Sequence, residues 1–118
     1  LTINSCSKGK RGEREWAKYL REHGFTNARR GRQFRGSPDS PDVVDGIEGT
    51  HCEVKRTEKI NVYDAMKQAL DDAGCKMAYV AHRRNDKRWL VILTADDFLK
   101  IMDQERREHH GFLGEPPF

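Results

Sequence analysis

Two carboxylates and an ammonium stand at a spacing that suits phosphodiester chemistry. Asp42 follows Pro41 and opens a short apolar run, Val43-Val44, and ten residues (43–52) separate it from the triplet Glu53-Val54-Lys55. If Cys52 to Lys55 is extended, the period of two puts Glu53 and Lys55 on one face and Val54 on the other. Val54 then enters a core while an acid and a base point at one spot. Carboxylates converging with a lysine at a sheet edge suit a hard cation such as Mg²⁺ beside a phosphate. The carboxylates would hold the metal, and the lysine would orient or help deprotonate a water and stabilise charge on phosphoryl oxygens. The pattern is short, and a hairpin with alternating surface charges has the same spelling. The elements around it decide between the two.

A helix predicted from about Lys10 to His23, ended by Gly24, turns Trp16, Ala17 and Leu20 inward. Glu13 lies three residues before Trp16 and four before Ala17, on the same stripe, whereas Glu15, Lys18 and Glu22 fall on the solvated side. A carboxylate on the inward stripe must be paired or bind metal. The alternative is that Glu13 complements the dipole at the helix start. Phe25 to about Arg30 reads as a strand, and Gly31 to Pro41 as a basic loop. Asp42–Ile47 and Thr50–Lys55 then pair as a hairpin around Gly46–Gly49. After a connection, a second helix spans Val62–Ala73 and stops at Gly74, with Ala65, Met66, Ala69, Leu70 and Ala73 buried and Tyr63 and Gln68 flanking. Cys75–His82 is a nearly continuous apolar strand and therefore central. A charged turn and a last strand, Arg88–Leu93, follow. Thr94 caps a final helix whose inner face is Phe98, Ile101 and Met102.

This order predicts one α/β domain over residues 1–118, a mixed five-stranded sheet flanked by three helices, with a loose arm at 1–7 and a tail at 109–118. The chain of 118 residues has room for one core. Its net charge is +3, but the positive residues are grouped: Lys8, Lys10, Arg11 and Arg14; Arg29, Arg30, Arg32 and Arg35; Arg83, Arg84, Lys87 and Arg88. Three such groups fit a phosphate-rich partner, and each alone is equally a solvated loop. The three cysteines, Cys6, Cys52 and Cys75, lack CxxC spacing and read as reduced thiols in a cytoplasmic protein, not as a disulfide framework or zinc site. No apolar run approaches membrane-spanning length, no hydrophobic signal segment opens the sequence, and nothing points to an organic cofactor.

With this order the chain resembles the PD-(D/E)xK nuclease superfamily, of restriction-endonuclease-like fold. More closely it resembles the archaeal-type Holliday junction resolvases and their phage-borne relatives. The resemblance runs from about Lys8 to Leu99. It rests on Lys8-Gly9, Gly12-Glu13-Arg14-Glu15, Gly24-Phe25, Arg29, Pro41-Asp42-Val43-Val44, Glu53-Val54-Lys55 and Trp89. It implies that Glu13, Asp42 and Glu53 bind one or two Mg²⁺ (Mn²⁺ as substitute) and that Lys55 assists the attacking water. Arg14 and Arg29 match basic positions serving the site or the DNA backbone. Arg30, Arg32, Arg35 and Ser37, in the basic link and loop, would contact the DNA as well, and Gln68 matches a helix glutamine found in parts of the superfamily. The resemblance further implies homodimers that nick branched DNA symmetrically and leave 5′-phosphates, in the cytoplasm of a cell or of a viral host. The Gly31–Pro41 loop is longer and more basic than the family's usual link, and the segment after Leu99 has no placed counterpart. Two other readings stay open: a nuclease of the same fold with another DNA target (nicking, restriction-like or repair), and a non-catalytic basic DNA-binding module whose carboxylates pair with arginines.

Overall fold

The structure, a computed structural model, describes residues 5–31 and 42–112. Helix α1 (Ser5–Glu22) comes first, then strands β1 (Arg29–Arg30), β2 (Val43–Val44) and β3 (Thr50–Lys55). Helix α2 (Val62–Ala73), strands β4 (Met77–His82) and β5 (Leu90–Ile92), and helix α3 (Ala95–Phe112) complete the order. The predicted sequence of elements therefore stands, while several of their boundaries move. Helix α1 starts at Ser5 rather than near Lys10, because no proline interrupts Ser5–Gly9. It closes at Gly24, whose φ of +99° lets the Phe25 N–H donate back to the Leu20 carbonyl at 3.0 Å. Helix α3 runs through Gly111 to Phe112, into the predicted tail.

The single five-stranded sheet is not what forms. β1 and β2 make a two-stranded antiparallel sheet, and β3, β4 and β5 make a three-stranded one in which β3 and β4 are parallel and β5 antiparallel. The two are joined at Asp42. Its N–H donates to the Cys52 carbonyl at 2.9 Å, but the next donor along β3, the Val54 N–H, is taken by Asp42 Oδ2 at 2.7 Å. A side chain stands where a ladder partner would, and Asp45 at φ +55° turns the chain away after β2. Of the predicted hairpin there remain the turn, where the Thr50 N–H donates to the Ile47 carbonyl at 3.3 Å, and the backbone and side-chain bonds of Asp42.

Packing on the two faces of β3 and β4 differs. The α1 face carries Trp16, Ala17, Leu20, Ala28, Val43, Cys52, Val54, Tyr79 and Ala81. There the Trp16 indole donates to the Tyr79 hydroxyl at 3.1 Å, so a buried polar pair is satisfied within the core. The opposite face carries Ala65, Met66, Ala69 and Ala73 of α2 against Ala78 and Val80. Four small or flexible helix residues let α2 lie close to the sheet, and Asn61 caps its start by accepting the Asp64 N–H at 3.0 Å.

Four predicted core assignments are overturned. Leu70 is exposed on α2, and Phe98, Ile101 and Met102 are exposed on α3. The reason is the same for both: among the described residues α3 leaves the end of β5 with only sparse contact to the other helices and strands, so neither group is covered. Glu15, predicted to be solvated, instead accepts from Arg56 Nε at 3.2 Å and Arg83 Nη1 at 2.6 Å, tying α1 to the ends of β3 and β4. Among the described residues no helix is long and apolar enough to cross a membrane.

Gly12 sets how closely α1 approaches β3. A Cβ there would stand 2.5 Å from the Arg56 Cβ and 3.6 Å from Val54 Cγ1. Gly12→Ala should therefore destabilise the protein by ~1–3 kcal/mol despite the better helix propensity of alanine. Urea unfolding checks this; a stabilised variant would show that the approach is not tight.

Candidate active site

The side chains on one face of β3, in order His51, Glu53 and Lys55, look toward α2, since Cys52 and Val54 fill the core on the other face. Alternation along the strand is the reason a valine can anchor the segment while its two neighbours serve a site. On α2, Gln68 and Asp72 stand one turn apart, facing this row. Gln68 Oε1 accepts from Lys55 Nζ at 3.0 Å, which aims the ammonium. Asp72 comes near Glu53 and His51, each of the three offering a ligand atom within 4.8 Å of the others.

Asp42 reaches the same spot from the other side. Its carboxyl and that of Glu53 stand within hydrogen-bonding reach, and both residues are buried, 8% and 4% exposed. Burial first, and then the charge of Glu53, push the Asp42 carboxyl up to about 7, with the Val54 N–H bond working the other way. Glu53 is also raised by burial, offset in part by Asp42 and Lys55. The two carboxyls are coupled, and the pair takes up a proton as pH falls through about 7.

Glu13 is part-buried and near enough to Asp42 to feel its charge. In this structure its Oε2 accepts from Arg30 Nε at 2.5 Å, so the inward-stripe carboxylate is paired, as burial demands. Burial raises its carboxyl and the Arg30 bond opposes the rise. Arg30, predicted as a DNA contact, is thus engaged with Glu13. Arg29 is exposed and donates to Asp45 at 2.8 Å. Arg14 is exposed. Arg32, Arg35 and Ser37 lie outside the described residues.

Sequence reasoning passed over His51 and Asp72. Their signal was there in the periods: His51 is two residues before Glu53 on a strand, and Asp72 is four after Gln68 on a helix. His51 is 3% exposed, and its Nε2 lies 3.1 Å from Glu53 Oε1. The donor set fits a hard divalent cation. Asp42 and Glu53 bring carboxylate oxygens together out of water, and among the described residues neither pairs with an arginine.

An α/β fold that gathers buried carboxylates and one oriented lysine at a break in its sheet defines a class, the proteins that bring charge to bear on a phosphodiester. Comparison with known families narrows it. The chain belongs to the family described as archaeal Holliday junction resolvase (hjc), whose model matches residues 4–110. It is accordingly a nuclease of the Holliday junction resolvase type, and its partner is DNA. The match extends past Leu99, so most of α3 has a counterpart in the family after all. No curated protein and no solved structure matches the chain.

The raised Asp42 carboxyl has a pH consequence in metal-free protein. A folded-state value of about 7 against an ordinary 3.8 means stability from this group is full below 3.8 and is lost as pH rises through 7. Asp42→Asn removes that loss while keeping an acceptor for the Val54 N–H. Between pH 4 and pH 8 the stability of Asp42→Asn relative to wild type should rise by up to roughly 4 kcal/mol. Chemical denaturation with chelator at both pH values measures it, and a pH-independent difference would contradict the assignment.

Proposed function

We propose that the protein is a Mg²⁺-dependent endonuclease that resolves Holliday junctions and related branched DNA by symmetric nicking as a homodimer. The observation that carries this is the convergence of buried Asp42 and Glu53 with Lys55 on one face of β3, in a chain of the resolvase family. Asp42, Glu53 and Glu13 would hold the cation, Glu13 exchanging its bond to Arg30 for it. When bound, the cation supplies Lewis-acid stabilisation of the phosphoryl oxygens and lowers the pKa of a bound water. The rest is done by the chain's own groups. Lys55, held by Gln68, lies beside the carboxylates, where its ammonium can orient the attacking water and offset charge on the non-bridging oxygens. Asp42 must release its proton before it can serve as a ligand, so metal uptake is coupled to proton release and weakens as pH falls below about 7. The site reads phosphate and not base edges, so selectivity has to come from the shape of the DNA and from where two active sites stand. A two-fold homodimer places two such sites symmetrically, which matches a four-way junction. Exposed Arg14, Arg29 and Arg84 are available to the backbone.

The reading that the basic groups serve a non-catalytic DNA-binding module is disfavoured by the same geometry: the arginine pairing it requires is seen at Glu13 but not at Asp42 or Glu53 among the described residues.

The test is cleavage of a labelled immobile four-way junction with and without Mg²⁺, beside matched linear, flap and nicked duplex. Paired symmetric nicks on the junction alone, only with metal, are expected. Asp42→Asn or Glu53→Gln should lower cleavage by at least ~10³-fold with junction binding retained. Full cleavage by either variant would overturn the catalytic assignment. Equal rates on all substrates would replace the junction resolvase with a general nuclease of the same fold.

A further inference from the structure

We propose that His51, Glu53 and Asp72 form a second cation site on the α2 side of Glu53, one that takes an imidazole-binding divalent ion such as Mn²⁺ or Zn²⁺ in preference to Mg²⁺. The inference rests on the proposed nuclease centre only in sharing Glu53.

Four observations carry it. One imidazole nitrogen and two carboxylate oxygens lie within 4.8 Å of one another. Ligands around an ion at ~2.1 Å stand ~3–4 Å apart, so small side-chain rotations suffice to close the set. The elements that supply it are rigid: His51 and Glu53 are alternate residues of a strand buried on both faces, and Asp72 lies on α2, packed against that sheet through Ala69 and Ala73. The set is also accessible, because Asp72 is half-buried while His51 and Glu53 are buried. That leaves a way in and an open coordination position.

Charge supplies the fourth. Asp42, Glu53 and Asp72 form a row of three carboxylates, and both Asp42 and Asp72 act on the charge of Glu53. Lys55 is the lysine that acts on this row, and Arg30 is engaged with Glu13. A cation held by Asp42 and Glu53 is not met by Asp72, whose charge is left facing Glu53 and His51. The nitrogen donor then decides the ion. Mg²⁺ favours all-oxygen shells and gives up water reluctantly, whereas imidazole suits later divalent metals. Glu53 would bridge the two sites, with Asp42 on one side and the His51–Asp72 pair on the other.

The test uses full-length protein with Mn²⁺ as the ion. Calorimetric titration is expected to show two Mn²⁺ per chain, and pulsed electron paramagnetic resonance should show nitrogen coupling to bound Mn²⁺. In His51→Gln the nitrogen coupling should vanish, and the second Mn²⁺ should bind at least ~10-fold more weakly. Asp72→Asn, at a half-exposed helix position that the fold tolerates, should weaken the same ion while leaving the first. Conversely, Asp42→Asn should weaken the first and keep the nitrogen-coupled ion. Zn²⁺ should displace the nitrogen-coupled Mn²⁺ before the other, and excess Mg²⁺ should do the reverse. A single Mn²⁺ without nitrogen coupling, lost in Asp42→Asn, overturns the second site but leaves the nuclease centre intact. Nitrogen coupling in His51→Gln equal to wild type also overturns it. A nitrogen-coupled ion that persists while no Asp42-dependent ion binds supports the second site and removes the nuclease reading instead.

Discussion

The bond from the Val54 N–H to Asp42 Oδ2 is the constraint on which the site depends. Asp42 is held three ways: its N–H bonds the Cys52 carbonyl, its own carbonyl accepts from the Gly31 N–H, and its side chain takes the β3 donor. A carboxylate that replaces a ladder partner is fixed in position to within the tolerance of a β-sheet, and the sheet is interrupted at that point. The interruption is therefore the site. A continuous five-stranded sheet would have satisfied the Val54 N–H with backbone and left Asp42 free to point elsewhere.

Electrostatic tension follows from that placement. Asp42 and Glu53 are nearly sealed from water; burial makes both harder to ionise, and the charge of Glu53 adds to the effect at Asp42. Buried carboxylates without an arginine partner are an expensive way to build a protein, and a sequence keeps them where a cation or a proton will relieve the strain. Glu13 shows the other solution, an arginine within hydrogen-bonding distance. The difference between these carboxylates separates a latent ligand from groups that await one. Lys55 and Gln68 add the oriented donor that acid–base and phosphoryl chemistry needs.

Around the site the three-stranded sheet works as a plate with different tasks on its faces. The α1 face is an aromatic core knit by the Trp16–Tyr79 hydrogen bond, by the stacking of Trp16 on Tyr19 and by the tilted contact of Trp16 with Trp89. The α2 face is alanine-lined, and its close approach brings Gln68 and Asp72 down to the row on β3. Glu15, joining Arg56 and Arg83, clamps α1 across the carboxyl ends of β3 and β4. The α3 helix contributes little to this body, and its apolar side chains remain exposed.

What the sequence determined by itself is what short-range chemistry and periodicity control. Alternation in Cys52–Lys55 placed Glu53 and Lys55 on one face; the stripe Glu13–Trp16–Ala17–Leu20 gave α1 its inner side; the nearly continuous apolar run of Cys75–His82 marked the central strand. Glu13, Asp42, Glu53 and Lys55 carry the resemblance to the resolvase family to which the chain belongs. Tertiary structure decided the rest, because the rest depends on which residues far apart in the chain meet. No local pattern says that the Asp42 side chain would take a backbone donor and split the sheet, that Glu15 would join two arginines, or that Glu13 would meet Arg30. None says that Phe98, Ile101 and Met102 would be left exposed. His51 and Asp72 show the boundary most sharply: each is an ordinary surface-type residue in the sequence. Strand and helix periods put His51 beside Glu53 and Asp72 beside Gln68, but the two pairs meet only because α2 packs over β3.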